Sequence, residues 1–204
     1  MVKDENFVFS KFKPIKVLLI GDYMLDQYTY GDIYRISPEA PVPILNIDKK
    51  NSMPGGAGNV ALNLLELGAK VDLLGRIGED KEGKELLSIL EKSKLNTENL
   101  IEQKHCPTIL KNRLIAESQQ VLRVDFEKIL PLSKDLEEKI IKKLPNLIKD
   151  KQVIAISDYG KGFLSKKLLF EIIRISKDFN VPTIIDPKGE DFSKYRGASI
   201  LKPN

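Results

Sequence analysis

Short apolar runs without polar alternation recur along the chain, separated by stretches in which Leu and Ile repeat at three- and four-residue spacing. Ile15 to Ile20, Val71 to Leu74, Val153 to Ile156, Thr183 to Ile185 and Ser199 to Leu201 read as strands buried on both faces. Four helices are predicted between them. The first runs from about Asn59 to Leu67, with Gly68 placed for a left-handed C-cap; the second follows Asp80 and carries Leu86, Leu87 and Leu90. The third follows Ser133 with Leu136, Ile140 and Leu144 and is stopped by Pro145; the fourth follows Ser165 with Leu168, Leu169, Ile172 and Ile173. Strands alternating with helices predict right-handed βαβ units and a parallel sheet covered on both sides, an α/β fold.

Two stretches break the alternation. In 23–48, Tyr28, Tyr30 and Tyr34 lie among polar residues, and Pro38, Pro41 and Pro43 interrupt an extended segment, so an edge or lid is expected rather than central sheet. Lys49 to Pro54 reads as a polar loop. Thr108 to Glu117 and Val121 to Phe126 read as a hairpin joined through Ser118-Gln119-Gln120. Lys111 and Arg113 share one face of its first strand, Arg123 and Asp125 one face of its second, and solvation alone can account for such a face.

Composition narrows the class. The 204 residues suit one domain, or one with a small appendage, and residues 1–14 form a polar leader whose Phe7, Phe9 and Phe12 are expected to dock on the body. A net charge of +4, spread among nearly equal numbers of acids and bases, argues against nucleic acid and suits a small anionic ligand equally well. One cysteine, Cys106, excludes an internal disulfide and fits a reducing compartment. No run is long enough to span a membrane and the leader lacks a signal-peptide core, so a cytoplasmic protein without a membrane partner is expected. His105 beside Cys106 has no metal-ligand spacing.

Candidate chemistry gathers at the predicted strand ends. Gly21-Asp22, Ser157-Asp158 and Ile185-Asp186 each finish a strand with an acid, and ligands of open α/β sheets bind beyond the carboxyl ends of the strands. Asp26, the turn Tyr159-Gly160-Lys161-Gly162 and Lys188 follow in the adjoining loops. Aspartate is also a common turn former, but three on one rim with lysines nearby suit sugar hydroxyls, Mg²⁺ or phosphate. Gly55-Gly56-Ala57-Gly58 opens the first helix, either as a tight turn or as a cradle where a ligand meets unpaired N–H groups. Gly56 to Ala61 also reads G-x-G-x-x-A. A dinucleotide site, however, needs a strand running straight into the turn and an acid ending the next strand; a polar loop precedes the glycines here and Leu74-Gly75-Arg76 ends the next strand.

Gly55-Gly56-Ala57-Gly58-Asn59-Val60-Ala61, then Gly68 and Gly78, resemble the first signature of the ribokinase-like (PfkB) carbohydrate kinases. The blocks GDYMLDQYTYGDIYRISPEAPVPIL (21–45), NRLIAESQQVLRVDFE (112–127), SDYGKG (157–162) and IDPKGEDFSKYRGASILKPN (185–204) resemble its heptose 7-phosphate kinase branch, which makes precursors of ADP-heptose and lipopolysaccharide. The resemblance covers 15–204 and implies a three-layer α/β/α sandwich, mostly parallel, with a small β lid around 27–48 and 108–126 that forms a homodimer contact. It implies Asp22, Asp26, Gly55, Gly56, Asn59 and Asp158 at the sugar; Arg35, Lys111, Arg113, Arg123 and Lys161 at its phosphate; and Asp186, Lys188 and Asn204 towards Mg²⁺ and ATP. The implied partners are the sugar phosphate and either a complementing C-terminal kinase segment or an adenylyltransferase.

The late G-A-G-D motif of that family, which supplies an anion hole and the catalytic base, is absent from these 204 residues. The expectation is the N-terminal, sugar-binding part of a kinase, truncated on its C-terminal side and nearly inactive alone. The alternatives are a related sugar kinase, or a non-catalytic module that binds sugar phosphate or dimerises. A parallel sheet cut at Leu201 is also expected to leave an exposed apolar patch.

Overall fold

A computed structural model describes residues 13–203. Most of the leader, including Phe7, Phe9 and Phe12, and the predicted nucleotide contact Asn204 lie outside them. In chain order the elements are β1 (Lys16–Ile36), β2 (Pro43–Gly56), α1 (Ala57–Glu66), β3 (Lys70–Gly78), α2 (Lys81–Lys92), β4 (Leu100–Gln103) and β5 (Ile109–Ala116). There follow β6 (Gln119–Phe126), α3 (Lys134–Ile148), β7 (Val153–Ser157), α4 (Lys166–Asp178), β8 (Thr183–Asp186), a 3₁₀ turn at Ser193–Tyr195 and β9 (Ile200–Leu201).

The main sheet has the order β4-β3-β1-β7-β8-β9 with every neighbour parallel. Alternate residues of its strands feed two cores. Leu18, Ile20, Ile154, Ile156 and Ile185 pack beneath Ile140 and Leu144 of α3 and Leu168, Leu169 and Ile172 of α4. Val17, Leu19, Val71 and Leu73 pack on the opposite side against Ala57 and Ala61 of α1 and Leu86 and Leu90 of α2. Each of these Leu, Ile and Val side chains contributes ~1.5–3 kcal/mol when fully buried. On the α1 side, α1 reaches only the near edge of β7, and no described helix covers β8 and β9. A groove of roughly 360 Å³ remains there, lined by Val17, Leu19, Val60, Leu64, Ala155 and Ile184, with Ile184 still 38% exposed. The expected apolar patch is therefore present.

A second sheet grows out of the first through β1. From Tyr23 to Ile36 that strand pairs antiparallel with β2, and from Met24 to Gly31 parallel with β5, which in turn pairs antiparallel with β6. Several sequence expectations need correction here. The first strand does not finish at Gly21-Asp22 but runs on to Ile36, 21 residues in all, because its continuation finds new ladder partners as the main-sheet pairing with β3 stops at Asp22. Lys49 to Pro54 is not a loop but part of β2, polar because this ribbon is largely solvent-exposed. The β5–β6 turn is Glu117-Ser118, with Glu117 at φ 56°, and Gln119 and Gln120 belong to β6. Pro145 does not stop α3. The helix continues to Ile148, which like Leu144 is fully buried, so burying the last turn outweighs the hydrogen bond that proline cannot make. Strand β4, four residues long and half polar, went unrecognised in the sequence.

Candidate functional site

The carboxyl ends of β1's main-sheet half, β7 and β8 lie side by side, since Gly21 pairs with Ser157 and Ser157 with Asp186. Asp22, Asp158 and Asp186 therefore share one rim. Asp22 is buried, and its Oδ2 accepts the backbone N–H groups of Tyr159 (2.9 Å) and Lys161 (3.1 Å). Burial holds its pKa above the usual carboxylate value; the two N–H groups pull it back and the charge of Asp158 adds to the rise. Asp158 is buried as well. It accepts from the N–H of Gly160 (2.7 Å), the hydroxyl of Tyr195 (2.6 Å) and the ammonium of Lys194 (2.8 Å). Asp186 is only partly buried, and its charge helps burial to raise the pKa of Tyr159. Lys188 is exposed beside this turn, its Cγ facing Gly160.

The glycine turn sits at the other side of the rim. Strand β2 runs straight into it, contrary to the loop expected, but β2 is antiparallel to β1, and β3 ends at Ile77-Gly78 without an acid. A dinucleotide fingerprint therefore still lacks its parallel strand and its ribose acid. Gly56 holds φ 55° and ψ −128° at the N-cap of α1, a conformation strained for any side chain. A Cβ on Gly55 would stand 2.3 Å from Asp26 Oδ2, so this backbone touches a carboxylate directly. No side chain caps α1, which leaves its first N–H groups for another acceptor, and Asn59 is exposed beside them.

The second sheet presents the basic residues. Asp26 lies opposite Lys111, Tyr28 opposite Arg113, Lys111 opposite Asp125 and Arg113 opposite Arg123, so all lie on one face. Arg113 donates to Asp26 at 2.7 Å, a bond that raises the arginine's pKa further, and its guanidinium lies 5.2 Å from the centre of the Tyr28 ring. Arg123 is paired with Asp125 at 2.9 Å and Lys161 with Glu127 at 2.5 Å. Lys111 has its ammonium 5.8 Å from the Tyr159 ring centre, which brings the second sheet to the turn after β7. Arg35 is not gathered with these groups. It is exposed nine residues beyond Asp26, ~30 Å along a straight strand. Tyr195 and Glu127 were not singled out by the sequence, which placed Tyr28, Tyr159 and Arg76 only as parts of a lid, a turn and a strand end, with no site role of their own. Only Arg76 left a signal, a lone charge within an apolar strand.

An all-parallel sheet with acids on its carboxyl rim, an uncapped glycine-opened helix and a second sheet growing from the same strand defines a ribokinase-like fold. The chain belongs to the pfkB family of carbohydrate kinases, whose family model matches residues 15–204. It is 48% identical over 192 residues to the bifunctional protein HldE of Aliarcobacter butzleri, covering 94% of this chain and 40% of that one. To the protein of the same name from Hyphomonas neptunium it is 47% identical over 189 residues, covering 93% and 39%. The chain thus spans about two-fifths of the length of these relatives. Among solved structures, phosphofructokinase-2 of Escherichia coli in its tetrameric inhibited form shares the fold at a TM-score of 0.67 and 19% identity, over 93% of this chain and 61% of that one. Arabidopsis thaliana ribokinase complexed with ribose and ATP does so at 0.63 and 16%, over 94% and 60%.

Proposed function

We propose that the chain is the N-terminal, sugar-binding part of an ATP-dependent kinase. Its substrate is D-glycero-β-D-manno-heptose 7-phosphate, converted to the 1,7-bisphosphate on the way to ADP-heptose and the lipopolysaccharide core. One observation carries this reading. Asp26 touches both Gly55 of the glycine turn and Arg113 of the basic face, so a sugar on the turn would place its phosphate among charges on the second sheet. Identity near one half with proteins named HldE supports the choice of sugar.

In this reading Asp22, Asp26, Asp158, Gly55, Gly56 and Asn59 hold hydroxyls. Asp22 and Asp158 also fix the backbone of the turn that carries Lys161. Lys111, Arg113, Arg123 and Lys161 receive the phosphate. Three of these four are already paired with carboxylates, which sets their positions before ligand arrives. Segments 27–48 and 108–126 act as a lid over the rim. The partly buried Asp186, with Lys188 nearby, offers one carboxylate towards Mg²⁺-ATP. No cluster of three or more metal-ligating side chains occurs among the described residues, and one carboxylate suffices where phosphates and waters complete the magnesium shell. When bound, Mg²⁺ and ATP supply the phosphoryl group and neutralise its charge. Arg35 and the exposed Tyr34, Ile36, Val42 and Ile47 suit a homodimer contact through the lid. The remaining partners would be a complementing kinase segment carrying the G-A-G-D base, or an adenylyltransferase, in the cytoplasm.

Calorimetry on the 204-residue chain tests the reading. Heptose 7-phosphate is expected to bind, with no ATP turnover, and Lys111→Met to weaken it about tenfold or more, the scale of one charge-assisted contact. The unphosphorylated heptose should bind both proteins alike. Absence of sugar-phosphate binding to folded wild-type protein would sink the proposal. Turnover by the 204-residue chain would overturn the assignment of the base to a complementing segment.

A further inference from the structure

Arg76 is 8% exposed, lies inside the main sheet at the end of β3, and forms no ion pair within 4.0 Å among the described residues. A buried guanidinium without a carboxylate persists only where acceptors satisfy its donors. Three do so here. One terminal nitrogen donates to Gln103 Oε1 at 3.2 Å, and the other to the carbonyls of Leu130 at 2.8 Å and Lys161 at 3.1 Å. These acceptors belong to three separate segments: the end of β4, the connector leaving β6, and the turn after β7.

The bonds converge on one peptide. Lys161 gives its N–H to Asp22 and its carbonyl to Arg76, and Asp22 and Arg76 are register partners on β1 and β3. The connector from the second sheet is tied to the same turn twice more, by Leu132 N–H to the Gly162 carbonyl at 3.0 Å and by the Lys161–Glu127 ion pair. We propose that Arg76 is a positioning residue: it clamps the 127–132 connector and the 158–162 turn into one unit, so that the second sheet and the Lys161 ammonium are held in fixed relation to the carboxyl rim. It acts through two backbone carbonyls and the Gln103 side chain. Its effect on ligand rests on the sugar-phosphate reading above; the clamp itself does not.

Two readouts on the full 204-residue chain separate those levels. In Arg76→Lys the charge stays but the fork that reaches several acceptors is lost. In Arg76→Met an apolar side chain of similar length fills the space. In amide hydrogen exchange, both variants are expected to raise the rates of Leu132, Tyr159 and Lys161 about tenfold or more, with the core amides of Leu19 and Ile154 unchanged. Free guanidinium at millimolar concentration, added to Arg76→Ala, should restore protection. Unchanged exchange at those three amides overturns the clamp. Equal acceleration throughout the core overturns it too, because the arginine would then be a general stability element. In calorimetry Arg76→Lys should weaken heptose 7-phosphate about tenfold, with unphosphorylated heptose affected less than twofold. Equal losses for both ligands, or none, would remove the positioning role while the exchange data still decide the clamp. Failure of wild-type protein to bind the sugar phosphate would instead sink the functional reading.

Discussion

Asp22 shows how one carboxylate can be read correctly in place and only partly in purpose. Its position on the rim follows from the strand pattern, but the two backbone N–H groups it accepts come from a turn more than 130 residues later, which no local pattern discloses. Arg113 and Asp26 are similar: the sequence places Asp26 in a loop, and both their shared face and their ion pair come from a parallel β1–β5 register that only the fold supplies. The raised pKa of Asp22 has a measurable consequence. A carboxyl whose folded pKa lies above its unfolded value of 3.8 contributes stability that is complete below pH 3.8 and is lost as pH rises through the folded value. Asp22→Asn is neutral throughout. Thermal melts of both proteins from pH 7 towards pH 4 should therefore show the wild type gaining on the variant as pH falls; a constant gap would show that Asp22 does not titrate in this range.

Three of the four described α-helix starts were the most legible features at the scale of elements, because each depends on a local bond. Asp80, Ser133 and Ser165 all accept the N–H three residues on, as their positions in the sequence imply. Helix ends and long strands were less legible. Pro145 and the Tyr- and Pro-rich run of 23–48 gave local signals that tertiary burial and distant partners override. Ser165 does more than cap. Its hydroxyl accepts from Leu168 N–H at 2.9 Å and donates to the buried carboxylate of Glu137 on α3, joining the starts of two helices. Ser165→Ala should cost ~1 kcal/mol for the cap, plus ~1–3 kcal/mol for leaving Glu137 short of a donor. Ser165→Ala made in a Glu137→Gln background should cost less than in wild type. Additive losses in urea melts would show the two groups to be uncoupled.

Over the whole molecule the parallel sheet and its two cores were predictable from continuous apolar runs, whereas the sharing of one strand between two sheets was not. The uncovered half of the main sheet is a property of the assembled fold. Ile184 looks into its groove while its neighbour Ile185 is fully buried beneath α3 and α4. Ile184→Lys should reduce binding of a hydrophobic dye and self-association of the 204-residue chain, and change its melting temperature little. A large loss of stability would mean that this side chain is covered in solution.

The 21-residue strand β1 also orders events in time. Synthesised before all its partners, its outer half can pair with β2 once residue 56 has emerged, and then with β5. Its inner half, Val17 to Gly21, needs β3 on one side and β7, from Val153, on the other. At ~5–20 residues per second, about 136 further residues take on the order of ten seconds to appear. The ribbon above the rim can thus exist before the floor beneath it. Meanwhile Leu18-Leu19-Ile20, fully buried in the finished fold, remains a half-paired apolar segment on the nascent chain, and that is where a chaperone would be needed longest.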